Sequence, residues 1–143
     1  MTKPVIYFLC TGNSCRSQMA EGWARHLCQG RVRAHSAGVE THGLNPRAVA
    51  VMKEAGVDIS QHHSKRIDPE LLFRSDVVIT LCGEAEETCP WTPPTVRRLH
   101  WPLSDPARAV GSDEEILDAF RTVRDQIRDR VKGFLESLST NGG

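Results

Sequence analysis

Five consecutive apolar residues, Val5-Ile6-Tyr7-Phe8-Leu9, run into Cys10, and by Ser17 a helical repeat has begun. An apolar run without alternation suits a strand covered on both faces, as in the centre of a parallel sheet. Met19, Trp23 and Leu27 then form one row, with Ala20 and Ala24 beside it, which predicts a helix. The order repeats down the chain. Val32 to Ala37 reads as a second strand. Asn45-Pro46 is a cap with proline at the first helical position, and Ala48, Met52 and Ala55 share a face until Gly56 stops the helix. Asp68-Pro69-Glu70 opens a shorter helix by the same logic. Val77 to Leu81 is the strongest later strand, and a last one lies within Val96 to Leu103. Ser112 with Glu115 is a capping box, after which Ile116, Phe120, Val123, Ile127, Val131, Phe134 and Leu138 recur at steps of three and four. Asn141-Gly142-Gly143 reads as a frayed tail.

Strands alternating with helices predict an α/β fold: one domain over residues 1–143, with a four-stranded parallel sheet flanked by helices on both faces. Ligands in such folds sit at the carboxyl ends of strands. Cys10 follows the first strand and Cys82 follows the strong later one, so the topology brings both to one edge of the sheet.

Composition narrows the function classes. The chain has 143 residues, with 18 basic and 18 acidic side chains and no net charge. No basic stripe suggests nucleic acid, and no apolar run is long enough to span a bilayer. The start, Met1-Thr2-Lys3-Pro4, carries no signal peptide pattern, so a cytoplasmic protein is expected. Five cysteines are an odd number, without a Cys-x-x-Cys pair. In a reducing compartment they read as catalytic or inert rather than as structural disulfides or a zinc site. The six histidines, His26, His35, His42, His62, His63 and His100, lack the paired spacing of zinc motifs, so no metal is expected.

The segment Cys10-Thr11-Gly12-Asn13-Ser14-Cys15-Arg16-Ser17 lies between strand and helix. Its backbone N–H groups and the helix N-terminus can cradle an oxyanion. Arg16 adds a planar fork matched to two oxygens of a tetrahedral anion. The same positive field favours a thiolate at Cys10 and makes it a nucleophile. Asn13 is suited to hold the loop's shape, because asparagine tolerates a left-handed backbone. Cys15 reads as a packing residue, and Cys28, at a helix end, as an inert thiol.

Cys10 to Ser17 resembles the phosphate-binding loop of low-molecular-weight tyrosine phosphatases. The longer run from Cys10 through Gln18-Met19-Ala20-Glu21-Gly22 to Trp23 resembles the arsenate reductases built on that fold and coupled to thioredoxin. Resemblance continues through Ser36-Ala37-Gly38, His42-Gly43-Leu44-Asn45-Pro46, Thr80-Leu81-Cys82, Cys89-Pro90, His100-Trp101 and Asp105-Pro106-Ala107.

A loop of this kind cannot tell arsenate from phosphate, which are nearly isosteric. The step after attack can. An arsenylated cysteine accepts two electrons if a second thiol attacks its sulfur, releasing arsenite and leaving a disulfide. Cys82 is placed for that. A third thiol, Cys89, can then move the disulfide outward by exchange. The resemblance implies this same cascade, with reduced thioredoxin as the final donor and no bound cofactor. It also implies that Asp105 is the proton donor, because the family's phosphatases carry an Asp-Pro dipeptide there. Ser104 departs from a second acidic residue associated with the reductases. Some relatives bind potassium beside the loop at positions matching Asn13, Glu21 and Ser36 plus an aspartate. Lys65 stands at the aspartate's place, where its ammonium could replace the cation or point to solvent.

Two other functions stand beside arsenate reduction. A tyrosine phosphatase would need aromatic walls, but Ala107 follows Pro106 and the only tyrosine is Tyr7 in the first strand. A non-catalytic thiol sensor would bind a metalloid without turnover. A monomer is expected.

Overall fold

The computed structural model describes residues 3–89 and 91–141. The chain runs β1 (Val5–Cys10), α1 (Arg16–Leu27), β2 (Arg33–Gly38), α2 (Pro46–Glu54), α3 (Pro69–Arg74), β3 (Val77–Thr80), α4 (Gly83–Thr88), β4 (Arg97–His100), a 3-10 turn (Pro106–Arg108) and α5 (Asp113–Asn141). All three strand pairings are parallel, and the order across the sheet is β2-β1-β3-β4. Ile6, Tyr7, Phe8 and Leu9 are all buried, which requires cover on both faces of the sheet, as their unbroken apolar run predicts. From β1 the chain moves to one side of the sheet, and from β2 it crosses back to β3 on the other. The carboxyl end of β1 is therefore the switch point at which such folds hold ligands.

The caps behave as their residue types require. Asn45 and Asp68 accept the backbone N–H of Arg47 and Glu70 at the starts of α2 and α3. Ser112 Oγ accepts from Glu115 N at 3.2 Å while Glu115 Oε1 accepts from Ser112 N at 3.3 Å, the two halves of the capping box. Phe120, Val123, Ile127, Val131 and Phe134 bury the inner stripe of α5, which packs on α1 and α2. Trp23 Nε1 donates to Arg124 O at 3.1 Å and Arg124 to Val51 O at 2.9 Å, tying the three helices together.

Three boundaries differ from the sequence reading. Cys10 is the last residue of β1, not the one after it, because it still pairs with Gly38 of β2. β3 stops at Thr80, so Cys82 lies two residues beyond it. Asn141 belongs to α5 rather than to a frayed tail; Gly142 and Gly143 lie outside the described residues. No helix among the described residues is long and apolar enough to cross a membrane.

Candidate active site

Residues 11–15 connect β1 to α1 and form the floor of a cleft. Donors from outside the loop take its carbonyls. Val39 N, Glu40 N and His42 N reach the oxygens of Cys10, Thr11 and Gly12 at 3.1, 2.9 and 2.9 Å, and Ser64 Oγ adds a second bond to Gly12 O at 2.7 Å. In a trans peptide the N–H points opposite to the C=O. The amides of Thr11, Gly12 and Asn13 therefore point away from those donors. Gly38 permits the approach: a Cβ there would lie 2.6 Å from Glu40 O and 2.7 Å from Asn13 N.

Asn13 locks the loop from behind. Its φ of 49° is left-handed, as anticipated for asparagine, and its side chain is fully buried. Nδ2 donates to Ser17 Oγ at 2.8 Å and to Ser36 Oγ at 3.0 Å. Oδ1 accepts from Gln18 Nε2 at 3.0 Å and from Lys65 N at 2.8 Å. Ser17 Oγ lies 2.8 Å from Cys10 Sγ. Because Asn13 fills a lone pair of that hydroxyl, its proton is left for the sulfur, an arrangement suited to a thiolate. α1 begins at Arg16 with no side-chain cap, so its amide end is also open to the anion site.

The cleft has a volume of about 500 Å³. Of the residues singled out from the sequence, Cys10, Thr11, Gly12, Ser14, Cys15, Arg16, Cys82 and Asp105 line it. Asn13 and Ser17 stand behind the loop and act by holding it. Arg16 is buried, donating to Leu103 O at 3.0 Å, with its second terminal nitrogen 3.7 Å from Asp105 Oδ2. Asp105 caps the 3-10 turn through Oδ1, which accepts from Ala107 N at 3.0 Å, and leaves Oδ2 towards Arg16. Cys82 Sγ is 3.1 Å from Thr11 Oγ1 and accepts from Ala85 N at 3.4 Å, so it caps α4 while facing the cleft. Cys89 caps the other end of α4, is half-buried and does not line the cleft. All five cysteines are thiols. Burial pushes the Cys15 thiol up to about 11, against a weaker opposing bond from Ser14. Cys28 donates weakly to Arg25 O and Val32 O, away from the cleft.

The oxygens a potassium ion would use are taken by protein donors. Glu21 Oε1 accepts from Ser36 Oγ at 2.7 Å, and Oε2 lies 3.2 Å from Arg25 Nε and 3.5 Å from His62 Nδ1. Lys65 Nζ donates to His63 O at 2.8 Å. This donor set does not fit a bound cation. Among the described residues no cluster of His, Cys, Asp or Glu could hold a metal.

His42 and Arg108 also line the cleft, and sequence reasoning gave neither a role there. In the sequence His42 stood out only as one histidine of six and as the start of a stretch shared with the family, neither of which gave it a role. It arrives because residues 38–42 fold back over the loop through backbone bonds that no side-chain pattern encodes.

Residues 5–142 match the model of the family described as low molecular weight phosphotyrosine protein phosphatase. The chain belongs to that family. Within it, a relative from Bacillus licheniformis named arsenate reductase is 56% identical, covering 96% of this chain and 99% of the relative. A solved structure described as an arsenate reductase in the phosphate binding state is 38% identical, with a TM-score of 0.77, covering 94% of this chain and 98% of that one. A thioredoxin-dependent arsenate reductase of Corynebacterium glutamicum is 27% identical, with a TM-score of 0.79, covering 97% of this chain and 63% of its own. The four-stranded parallel sheet expected from the sequence is thus the fold of this family.

Proposed function

We propose that this chain is a cytoplasmic enzyme of arsenic detoxification, reducing arsenate to arsenite with electrons from reduced thioredoxin. The observation that carries the reading is the Cys82 thiol in the wall of a cleft floored by Cys10, 3.1 Å from Thr11 Oγ1. A phosphatase needs only the loop and an acid. A second thiol facing the anion site turns an arsenylated cysteine into a redox intermediate.

The Cys10 thiolate attacks the arsenic of singly charged dihydrogen arsenate. One oxygen leaves as water after taking a proton, which Asp105 supplies. The product is an adduct with arsenic bonded to Cys10 Sγ, carrying one hydroxyl and one negative charge. The Cys82 thiolate then attacks Cys10 Sγ. A sulfur–sulfur bond forms and the sulfur–arsenic bond breaks, so its electron pair reduces arsenic and releases arsenite. Cys89 attacks Cys82 next, freeing Cys10 and leaving a Cys82–Cys89 disulfide at the edge of the fold. A thioredoxin dithiol reduces that bond. Support for the donor comes from the Corynebacterium relative described as thioredoxin-dependent.

Arsenate-dependent NADPH oxidation with thioredoxin and its reductase tests the scheme. Cys10→Ser and Cys82→Ser are expected to abolish turnover. Cys89→Ser is expected to stop after one arsenite per chain. Full turnover by Cys89→Ser with the same donor would refute the third thiol.

Hydrolysis of small phosphate esters is a side activity consistent with the loop. Ala107 rather than an aromatic residue lines the cleft, and Tyr7 is buried in β1 with its hydroxyl accepting from Asp68 N at 3.0 Å. Neither can wall a phenyl ring.

A further inference from the structure

The reaction above has a proton requirement that its assigned groups do not fill. Starting from the Cys10 thiolate, water departure consumes one proton, given by Asp105. Attack of the Cys82 thiolate on the singly charged adduct then expels an arsenite that bears one hydroxyl and two negative charges. Two further protons are needed for it to leave as neutral arsenious acid, with three hydroxyls. One of these is the proton that the Cys82 thiol gives up on becoming a nucleophile. The other needs a donor on the cleft surface at the moment arsenite leaves.

We propose that His42, oriented by Glu40, is that donor. Its imidazole lies on the loop: a Cβ at Gly12 would be 2.2 Å from His42 Nδ1 and 2.4 Å from Cγ, so glycine is what makes room for the ring. The His42 N–H bond to Gly12 O fixes its backbone at 2.9 Å. Nε2 sits 2.8 Å from Glu40 Oε2, a carboxylate–imidazole pair of the kind that fixes ring orientation and tautomer. With Nε2–H committed to Glu40, the proton available to the cleft is the second one, carried by the doubly protonated ring on Nδ1, the ring nitrogen nearest the loop. The pair is half-exposed, so the ring can reload from solvent between turnovers. Nδ1 gives its proton to an arsenite oxygen as the sulfur–arsenic bond breaks, and regains one from water. No electrons pass through His42.

The charged and titratable groups around the ring are Glu40 at Nε2 and, lining the same cleft, Cys10, Cys15, Arg16, Cys82, Asp105 and Arg108. Asp105 has spent its proton on the departing water and is then a carboxylate 3.7 Å from Arg16 and 3.9 Å from Arg108, and Cys15, pushed up to about 11, holds its proton tightly. Cys82's proton is consumed in its own activation. That leaves His42 as the group with a proton to spend on the second step.

This inference rests on the arsenate reductase reading and is tested separately from it. Reduced protein is mixed with a slight excess of arsenate without thioredoxin, and arsenite release is timed across pH 6 to 9. Phosphate affinity of the same proteins is measured by calorimetry. If wild type releases no arsenite, the reductase reading fails. If it does, His42→Gln and Glu40→Gln are expected to slow release by about 10²-fold and a smaller factor respectively, at the low end for a lost general acid. Phosphate affinity is expected to stay within about twofold, and the slowing to shrink towards high pH, because only the doubly protonated ring has a proton on Nδ1 to give. Release by His42→Gln at the wild-type rate would overturn the proposal. So would an equal, pH-independent loss in release rate and phosphate affinity, which would assign the ring to loop support. His42→Ala with added imidazole gives the complementary readout: restored release supports a proton role, and no restoration at any concentration counts against it.

Discussion

At the scale of single residues, the cleft holds three thiols whose surroundings assign them different work. Cys10 meets the Ser17 hydroxyl, Cys82 meets Thr11, and Cys15, beside the Ser14 hydroxyl, is buried, which pushes it up to about 11. At pH 8 only about one Cys15 in 10³ is then a thiolate, the reactive form. Alkylation of the native protein with iodoacetamide at pH 8, read by peptide mass spectrometry, should label half-buried Cys89 first and leave Cys15 unmodified after Cys10 has reacted. Early labelling of Cys15 would show that the loop opens in solution. Lys65 gives a second expectation. Its ammonium is held by His63 O, and the attraction of Glu21 opposes the downward push of burial on its pKa. With Glu21 and Asn13 already saturated by protein donors, potassium has no ligand set to complete. Arsenate turnover in potassium and sodium chloride at matched ionic strength should agree within experimental scatter. Specific activation by potassium would mean that the ion displaces these donors.

At the scale of elements, α4 is the segment whose conformation conflicts with the proposed chemistry. Cys82 and Cys89 cap its two ends. Seven residues of helical rise separate their Cα atoms by about 10 Å, and a disulfide tolerates less than about 7 Å. Forming the Cys82–Cys89 bond must therefore unwind α4, breaking the Cys89 N to Ala85 O bond of 2.9 Å. Hydrogen exchange across residues 83–89 should speed up on oxidation with arsenate and slow again on reduction, with a small matching loss of helical circular dichroism. An oxidised protein with a confirmed Cys82–Cys89 bond and unchanged exchange there would refute this. The longer elements were readable because each carries several independent signals: α5 has a capping box and a seven-residue apolar stripe, and β1 has an unbroken apolar run. β4, Arg97-Arg98-Leu99-His100, has no apolar pattern and is a strand because β3 offers it a partner, so only its neighbourhood could be read. Leu81 continues the apolar run and its amide still bonds to Leu9 O, but pairing with β1 ends at Thr80, so composition alone overruns the strand by one residue.

At the scale of the whole molecule, the cleft brings together residues 10–12, 14–16, 42, 82, 105, 107 and 108 at one end of the sheet. The Cys-x5-Arg loop and the strand-end cysteines could be read because each announces its chemistry locally. His42 could not, since its place depends on backbone bonds between distant segments. The same holds for His62, which the sequence offered only as one of six histidines. It is packed against α1, with Nδ1 3.0 Å from Gln18 Oε1. Gln18 Nε2 is spent on Asn13 and on His63 O, so Oε1 must accept and His62 must donate, which the neutral ring can do. Burial lowers the His62 pKa against the pull of Glu21, and burial lowers that of His35 as well. Both rings are therefore favoured neutral in the folded state. Above the unfolded value of about 6.5 the chain keeps the full benefit. As pH falls through that value towards the lower folded values, the unfolded state binds protons that the native state does not, and stability is lost. The carboxylates held low by partners, Glu54 beside Arg121 and Asp58 beside Ser60, act in the same direction but in a more acidic window, below their ordinary values of 4.5 and 3.8. Two steps of acid destabilisation should therefore be separable. Urea midpoints measured from pH 7.5 to 3 are expected to fall first between about pH 7 and 5, and again below about pH 4.5. In His62→Gln, whose amide can still donate to Gln18, the first fall should shrink while the second is unchanged. A first fall of undiminished size in that variant would place the proton uptake elsewhere and remove His62 from the account of how the loop's support is kept at neutral pH.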